Sequence, residues 1–228
     1  MSGTLYIVAT PIGNLEDTTF RSIKTLKEVD YILAEDTRKT SILLSHYEID
    51  THAVSYHQQS SVQKKQEIAA MLVNGKNLAL VTDAGTPGIS DPGNELIDFL
   101  LSEIPDLKII PVPGASSITT ALSASGFNVS NFLFIGFWPK KKTKKLFERI
   151  KLLGCPVIFF ESPFRIQKTI DLLIKEFGQD KRIFLGQELT KMHERMLRGN
   201  LCDIKVKLES EQKELGRVKG ELVCILEF

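Results

Sequence analysis

Apolar positions along this chain recur in two alternating rhythms. Short β-rich runs at 5–9, 31–34, 78–81 and 108–112 are too brief for helices and read as strands. Between them, 20–29, 40–47, 62–73 and 94–101 place apolar residues at helical spacing. The same alternation resumes with strands predicted at 132–136, 157–161, 182–185 and 222–227, and helices at 144–153 and 166–177. Strand and helix taking turns in this way predict an α/β protein. The first series is complete by residue 112, so two α/β domains are expected, 1–114 and 115–228, joined in PVPGASS, residues 111–117.

Composition narrows the class without naming a function. The chain has 228 residues, 43% hydrophobic and 25% charged, as in an ordinary globular protein. No apolar stretch approaches the roughly 18 uncharged residues of a membrane span, and MSGTLYIVAT enters a strand-like run without a basic region or cleavage site. A soluble, cytoplasmic protein with no membrane partner is therefore expected. Cys155, Cys202 and Cys224 are widely spaced, with no CxxC and no histidine at ligand spacing, and are expected to be reduced and structural. His57 and His193 stand alone, so no metal site is expected. Lys and Arg number 29 against 28 Asp and Glu, a formal charge of +1, so a nucleic-acid partner would have to be met by a local patch.

The unusual residues gather after the strands. In open α/β sheets the loops beyond the C-terminal strand ends face the ligand crevice. Here those loops read ATPIGNLEDTT, AEDTRKT, TDAGTPGISDPG and PVPGASS, then GFWPKKK, ESPFR and QELTKMHE. In VTDAGTPGISDPG, Gly85, Gly88 and Gly93 permit backbone angles and approaches that a Cβ forbids, while Pro87 and Pro92 stiffen the path. Asp91 before Pro92 reads as a helix N-cap with proline at the first helical position. Asp83 could bind a ligand hydroxyl or amine, or tie down its own loop. Neither GxGxxG after the first strand nor GxxxxGK[ST] anywhere is present, which removes the main support for dinucleotide and P-loop readings. Proline-bearing loops suit a lid over a flat ring, and so hint at a nucleoside-like ligand without a triphosphate.

Taken together, VATPIGNLEDTT, AEDTRKT, VTDAGTPGISDPG, VPGASS, GFWPKKK, ESPFR, ELTKMHE and the late KGE resemble the motifs of the bacterial 16S ribosomal RNA cytidine 2′-O-methyltransferases, which modify cytidine 1402. That family lies in the tetrapyrrole-methylase, or class III, superfamily. The likeness is colinear from about residue 4 to 227. It implies two α/β domains with S-adenosylmethionine in the cleft between them, usually in a homodimer, and 16S rRNA as partner, in the 30S subunit. By position it implies donor contacts from Pro11, Asp83, Ala84, Gly85, Ile89, Ser116, Ser117, Leu189 and Gly220. The family usually shows GFLP, PGPSA, ESPHR and RELTK where this chain has GFWP, PGASS, ESPFR and QELTK. Phe164 in place of histidine removes a titratable group at that point.

Methyl transfer from a sulfonium to a ribose 2′-oxygen needs alignment and a route for the hydroxyl proton. Candidate catalytic groups are Glu35 and Asp36 in EDTR, Glu188 and Lys191 in ELTK, and Glu161 in ESPFR. Each has a structural alternative: Asp36 as an N-cap, Glu161 paired with Arg165, Glu188 bonded to backbone. Lys191 could act as base only if its pKa were lowered. Arg38, Lys39, Arg165 and the run holding Lys140, Lys141 and Lys142 are candidate phosphate contacts. That run also reads as a solvated loop or helix start. Trp138 beside it is a candidate for base stacking. Met192 and Met196 suit ordinary packing. Two other readings use the same residues: a methylase acting on a small tetrapyrrole-like ring, and an RNA-binding module without catalysis.

Overall fold

A computed structural model describes residues 2–215 and 220–228. The chain divides into two compact units, Met1–Ser116 and Ser117–Phe228. In chain order the first unit contains β1 (Thr4–Val8), a short 3₁₀ turn (Leu15–Asp17), α1 (Phe20–Glu28), β2 (Tyr31–Ala34), α2 (Thr37–His46), β3 (Ala53–Ser55), α3 (Val62–Val73), β4 (Leu78–Val81), α4 (Asn94–Glu103) and β5 (Lys108–Val112). The second contains α5 (Ser117–Ser125), β6 (Leu133–Phe137), α6 (Lys144–Leu153), β7 (Val157–Glu161), α7 (Ile166–Phe177), β8 (Arg182–Gln187), β9 (Arg195–Asn200), α8 (Leu201–Leu215) and β10 (Leu222–Leu226).

Five parallel strands in the order β3-β2-β4-β1-β5 make the first sheet. Parallel strands require crossovers, and their right-handedness decides which face each helix covers. Connections from β1 and β2 run toward the β3 edge, whereas those from β3 and β4 run back. Accordingly α1 and α2 pack on one face, where Leu26, Leu43 and Leu44 meet Val8, Ile32, Ala79 and Val81. Helices α3 and α4 cover the other, where Ile68, Leu72, Leu96 and Leu100 meet Leu5, Leu33, Leu78 and Leu80. All four β4 residues are buried, as a central strand covered on both faces demands.

The second sheet, β6-β7-β10-β8-β9, is mixed. Strand β6 runs parallel to β7, while β10 is antiparallel to both β7 and β8. Phe147, Ile150, Ile166, Ile170, Leu173, Ile204 and Leu208 of α6, α7 and α8 close one face around Trp138 and Phe159. Helix α5 contacts β10 and β8. No helix among the described residues is long and apolar enough to cross a membrane.

Four elements fall outside the sequence expectation. Strand β3 has three residues, none buried, and β9 (RMLRGN) is an exposed edge strand, so neither carries an apolar run. The SITTALSAS of α5 is built mainly of small and β-branched residues, which are weak helix formers apart from alanine and leucine. Helix α8 buries Leu201, Ile204 and Leu208 beneath a highly charged sequence. The N-cap expected at Asp91 is also incorrect: α4 starts at Asn94 behind Gly93, with no side-chain cap. Its loop folds back on itself instead, because the Gly88 amide donates to the Pro92 carbonyl and the Asn94 side-chain amide donates to the Gly88 carbonyl at 2.8 Å.

Leu80 is 1% exposed at the centre of this arrangement. Leu80→Ala is expected to destabilise the first unit by about 2–5 kcal/mol, read as a lower urea midpoint. A loss below about 1 kcal/mol would contradict the two-faced packing.

Candidate functional site

In the first unit the loops after β1, β2, β4 and β5 lie at the same sheet edge, and hydrogen bonds interlock them. Thr10 and Gly85 exchange two backbone bonds, N to O at 2.9 Å and 3.0 Å, which forms an isolated bridge beyond β1 and β4. The Thr10 hydroxyl donates to the Thr82 carbonyl at 3.0 Å. A Cβ built on Gly85, whose φ is +87°, would lie 3.6 Å from Ile12 Cγ2 and 3.9 Å from the Ala115 carbonyl, so three loops converge on this glycine. Pro11 is partly buried beside it, Ala84 is exposed, and Ile89 is 46% exposed. Ser116 ends this unit, and Ser117 opens α5 in the next.

Carboxylates complete the edge. Glu35 Oε2 accepts from the Thr82 hydroxyl at 2.8 Å and from the Asp83 amide at 3.4 Å. Asp83 accepts from the Asp36 amide at 3.2 Å and from Lys39 Nζ at 2.6 Å. Asp36 caps α2 by accepting from the Arg38 amide at 2.9 Å, and it also holds the Arg38 guanidinium through both oxygens at 3.0 Å and 2.7 Å. Those Arg38 hydrogen bonds pull the Asp36 carboxyl down to about 2. The N-cap alternative for Asp36 is thus realised, whereas Asp83 ties down the start of α2 and not its own loop.

Asp91 is the group that sequence reasoning missed. Burial first, then the negative charges of Glu35 and Asp83, push its carboxyl up to about 6, against the pull of a hydrogen bond to Thr82. It also lines a cavity of about 280 Å³ with Tyr56, Gln58, Ser90, Asn94 and Glu95. The legible signal was the pair of glycines, Gly88 and Gly93, both with positive φ, that let the loop turn Asp91 inward.

In the second unit, Leu222 of β10 pairs with both Glu161 and Gln187, so β7 and β8 end at the same level on either side of β10. Glu161 is buried; it accepts from the Thr169 hydroxyl at 2.6 Å and the Ser162 amide at 2.7 Å, with Arg165 at 3.3 Å. Arg165 also donates to the Trp138 carbonyl at 2.8 Å, joining the loop after β6 to the loop after β7. Glu188, at φ 51°, accepts from the Glu221 amide at 2.8 Å and from Lys191 at 3.0 Å. Burial opposes ionisation of Glu188, but the Glu221 amide and Lys191 outweigh it and hold its pKa below the usual value. Burial likewise opposes the Lys191 ammonium, yet Glu221 and Glu188, each 3.0 Å away, raise its pKa. Lys191 thus lacks the lowered pKa that a base at this position would need. A Cβ on Gly220 would fall 2.3 Å from Glu188 Cγ, which explains the glycine. Lys219 of the KGE motif lies outside the described residues.

Several expectations need correction. Trp138 is 1% exposed and packs on Phe159 and Phe147, with ring centroids at 4.8 Å and 6.0 Å, so it cannot stack on a base. Met192, on a turn, is 93% exposed and Met196, on the edge strand, 44% exposed, so neither packs in a core. Leu189 is buried against Gly186. Lys140, Lys141 and Lys142 are exposed ahead of α6, as both readings of that run require. The three cysteines are free thiols: Cys155 and Cys224 are buried, Cys202 is exposed, and burial raises the Cys224 pKa.

Comparison with known proteins decides the family. The model of the tetrapyrrole (corrin/porphyrin) methylases matches residues 4–205. The chain belongs to the tetrapyrrole methylase family. Within it, the chain is 45% identical to the ribosomal RNA small subunit methyltransferase I of Halalkalibacterium halodurans, over 99% of this chain and 76% of that one. It is 42% identical to the protein of that name from Thermotoga maritima, over 95% and 96% respectively. Among solved structures, the uroporphyrin-III C-methyltransferase of Thermus thermophilus complexed with S-adenyl homocysteine shares the fold, with a TM-score of 0.67 at 16% identity over 99% of this chain and 97% of that one. This tetrapyrrole methylase thus shares its fold with a methyltransferase solved in complex with S-adenyl homocysteine.

Raised above its unfolded value near 3.8, the Asp91 pKa means that the folded state loses stability as pH rises from about 4 through 6. Solvent screening at this partly exposed position reduces the effect to about 1 kcal/mol. Asp91→Asn is expected to raise Tm by about 2–4 °C at pH 8 and to leave it unchanged near pH 4. A gain equal at both values would contradict the inward charge.

Proposed function

We propose that this chain transfers a methyl group from S-adenosylmethionine to the ribose 2′-oxygen of cytidine 1402 in 16S ribosomal RNA. The observation that carries this reading is the 41–45% identity, over almost the whole chain, to proteins named ribosomal RNA small subunit methyltransferase I. Relatives with tetrapyrrole acceptors share only the fold, at 15–18% identity. The substrate form proposed is the 30S subunit, and the active species a homodimer.

The first unit's edge suits the donor. Pro11, Ala84 and Ile89 offer apolar surface beside Asp83 and Asp91, a combination that matches a flat base together with positive charge. Gly85 lets that surface lie close to the backbone. When bound, S-adenosylmethionine supplies an already activated methyl group. What the protein adds is position. Asp83, fixed by the Asp36 amide and Lys39, is proposed to hold the donor, with Ala84, Gly85 and Ser116 as its wall. Of the catalytic candidates, Asp36 is paired with Arg38 and Lys191 has a raised pKa, so neither is proposed to accept the hydroxyl proton. Glu35 remains as a proton acceptor held by Thr82, and Lys191, steadied by Glu188, is proposed to bind an RNA oxygen as a cation. Arg38, on the rim and 88% exposed in its side chain, is proposed to meet phosphate.

Purified protein with labelled S-adenosylmethionine and 30S subunits lacking the mark is expected to yield 2′-O-methylcytidine at position 1402, read by nuclease digestion and mass spectrometry. Donor binding without transfer would contradict the acceptor. Lys191→Met is expected to lower kcat/KM by about tenfold or more, whereas Lys191→Arg keeps most activity. Rescue by arginine distinguishes a cation from a base, because arginine cannot give up its proton.

A further inference from the structure

Phe164 lies just beyond β7, in the turn that leads into α7. It is 80% exposed, yet its backbone is pinned. The Phe164 amide donates to Ser162 Oγ at 3.3 Å, and the amides of Arg165 and Ile166 both donate to the Ser162 carbonyl, at 2.9 Å and 3.0 Å. Arg165, held by the Trp138 carbonyl and buried Glu161, locks this turn to the loop that carries Lys140, Lys141 and Lys142. Those lysines are exposed. An exposed aromatic ring on a pinned turn, tied through Arg165 to a loop that carries a run of cations, has the two parts of a single-strand nucleic-acid contact, a stacking platform and phosphate neutralisation.

We infer that Phe164 stacks on an unpaired base of the substrate RNA while Lys140, Lys141 and Lys142 bind the adjoining phosphates. This rests on the ribosomal RNA reading above and adds a recognition element to it. Trp138, the aromatic adjacent in sequence to the lysines, is excluded by burial; the turn that carries Phe164 is joined to the same loop through Arg165. The ring needs little ordering when RNA arrives, because its backbone is already fixed and only two side-chain torsions remain.

The test uses the full-length protein and 30S subunits lacking the mark, with kcat and KM for the particle and donor affinity by calorimetry. Phe164→Ala is expected to raise KM by about 5- to 100-fold, the range that stacking on a base spans, with kcat and donor affinity within about twofold of the wild type. Phe164→Trp is expected to restore KM. Replacing Lys140, Lys141 and Lys142 together by alanine is expected to flatten the salt dependence of KM. An unchanged KM for Phe164→Ala on particles that the wild type methylates would overturn the inference alone. So would an unchanged KM accompanied by loss of self-association in sedimentation, which would assign the ring to a subunit interface. Wild-type protein inactive on those particles would overturn the functional reading, and this inference with it.

Discussion

Two backbone hydrogen bonds between Thr10 and Gly85 hold the site edge of the first unit together. They form an antiparallel bridge beyond the ends of the parallel strands β1 and β4, so two loops that could wander separately become one surface. Everything at that edge is then fixed by short bonds: Thr82 orients Glu35, Asp83 orients the start of α2, and Lys39 and Arg38 neutralise what would otherwise be a dense negative cluster. Asp91 is left with less compensation, and its raised proton affinity is the cost of placing a further carboxylate there.

The second unit applies the same device to other residues. Its strands end in charged side chains whose partners lie in the neighbouring loops, Glu161 with Arg165 and Glu188 with Lys191. In both cases a carboxylate that sequence reading offered for catalysis spends its lone pairs on loop amides. The groups left outward are the Lys191 ammonium, the exposed lysines ahead of α6, and Phe164.

Most of the sheet framework was legible because its strands are short apolar runs between glycine- and proline-bearing loops, and β2, β4, β5 and β7 fall where the pattern puts them. Strand β9 was not, since an edge strand facing water needs no alternation, and Asp91 before Pro92 carries the same local signal whether it caps a helix or turns inward. What sets Asp91 apart is long-range: its burial and the nearby negative charges of Glu35 and Asp83. Trp138 failed as a stacking residue for a similar reason: adjacency to lysines in sequence says nothing about which way a bulged edge strand sends its next side chain. The loops proposed to hold the donor were recognisable only as a motif set, because each glycine or carboxylate taken singly has an adequate structural explanation.

Hydrogen exchange of the full-length protein with and without S-adenosylhomocysteine tests the donor wall most directly. Binding is expected to slow exchange at 9–13, 82–89 and 113–116, the loops tied together around Gly85, while the α3 and α6 amides stay unchanged. Tight binding with no added protection in those loops would contradict the account.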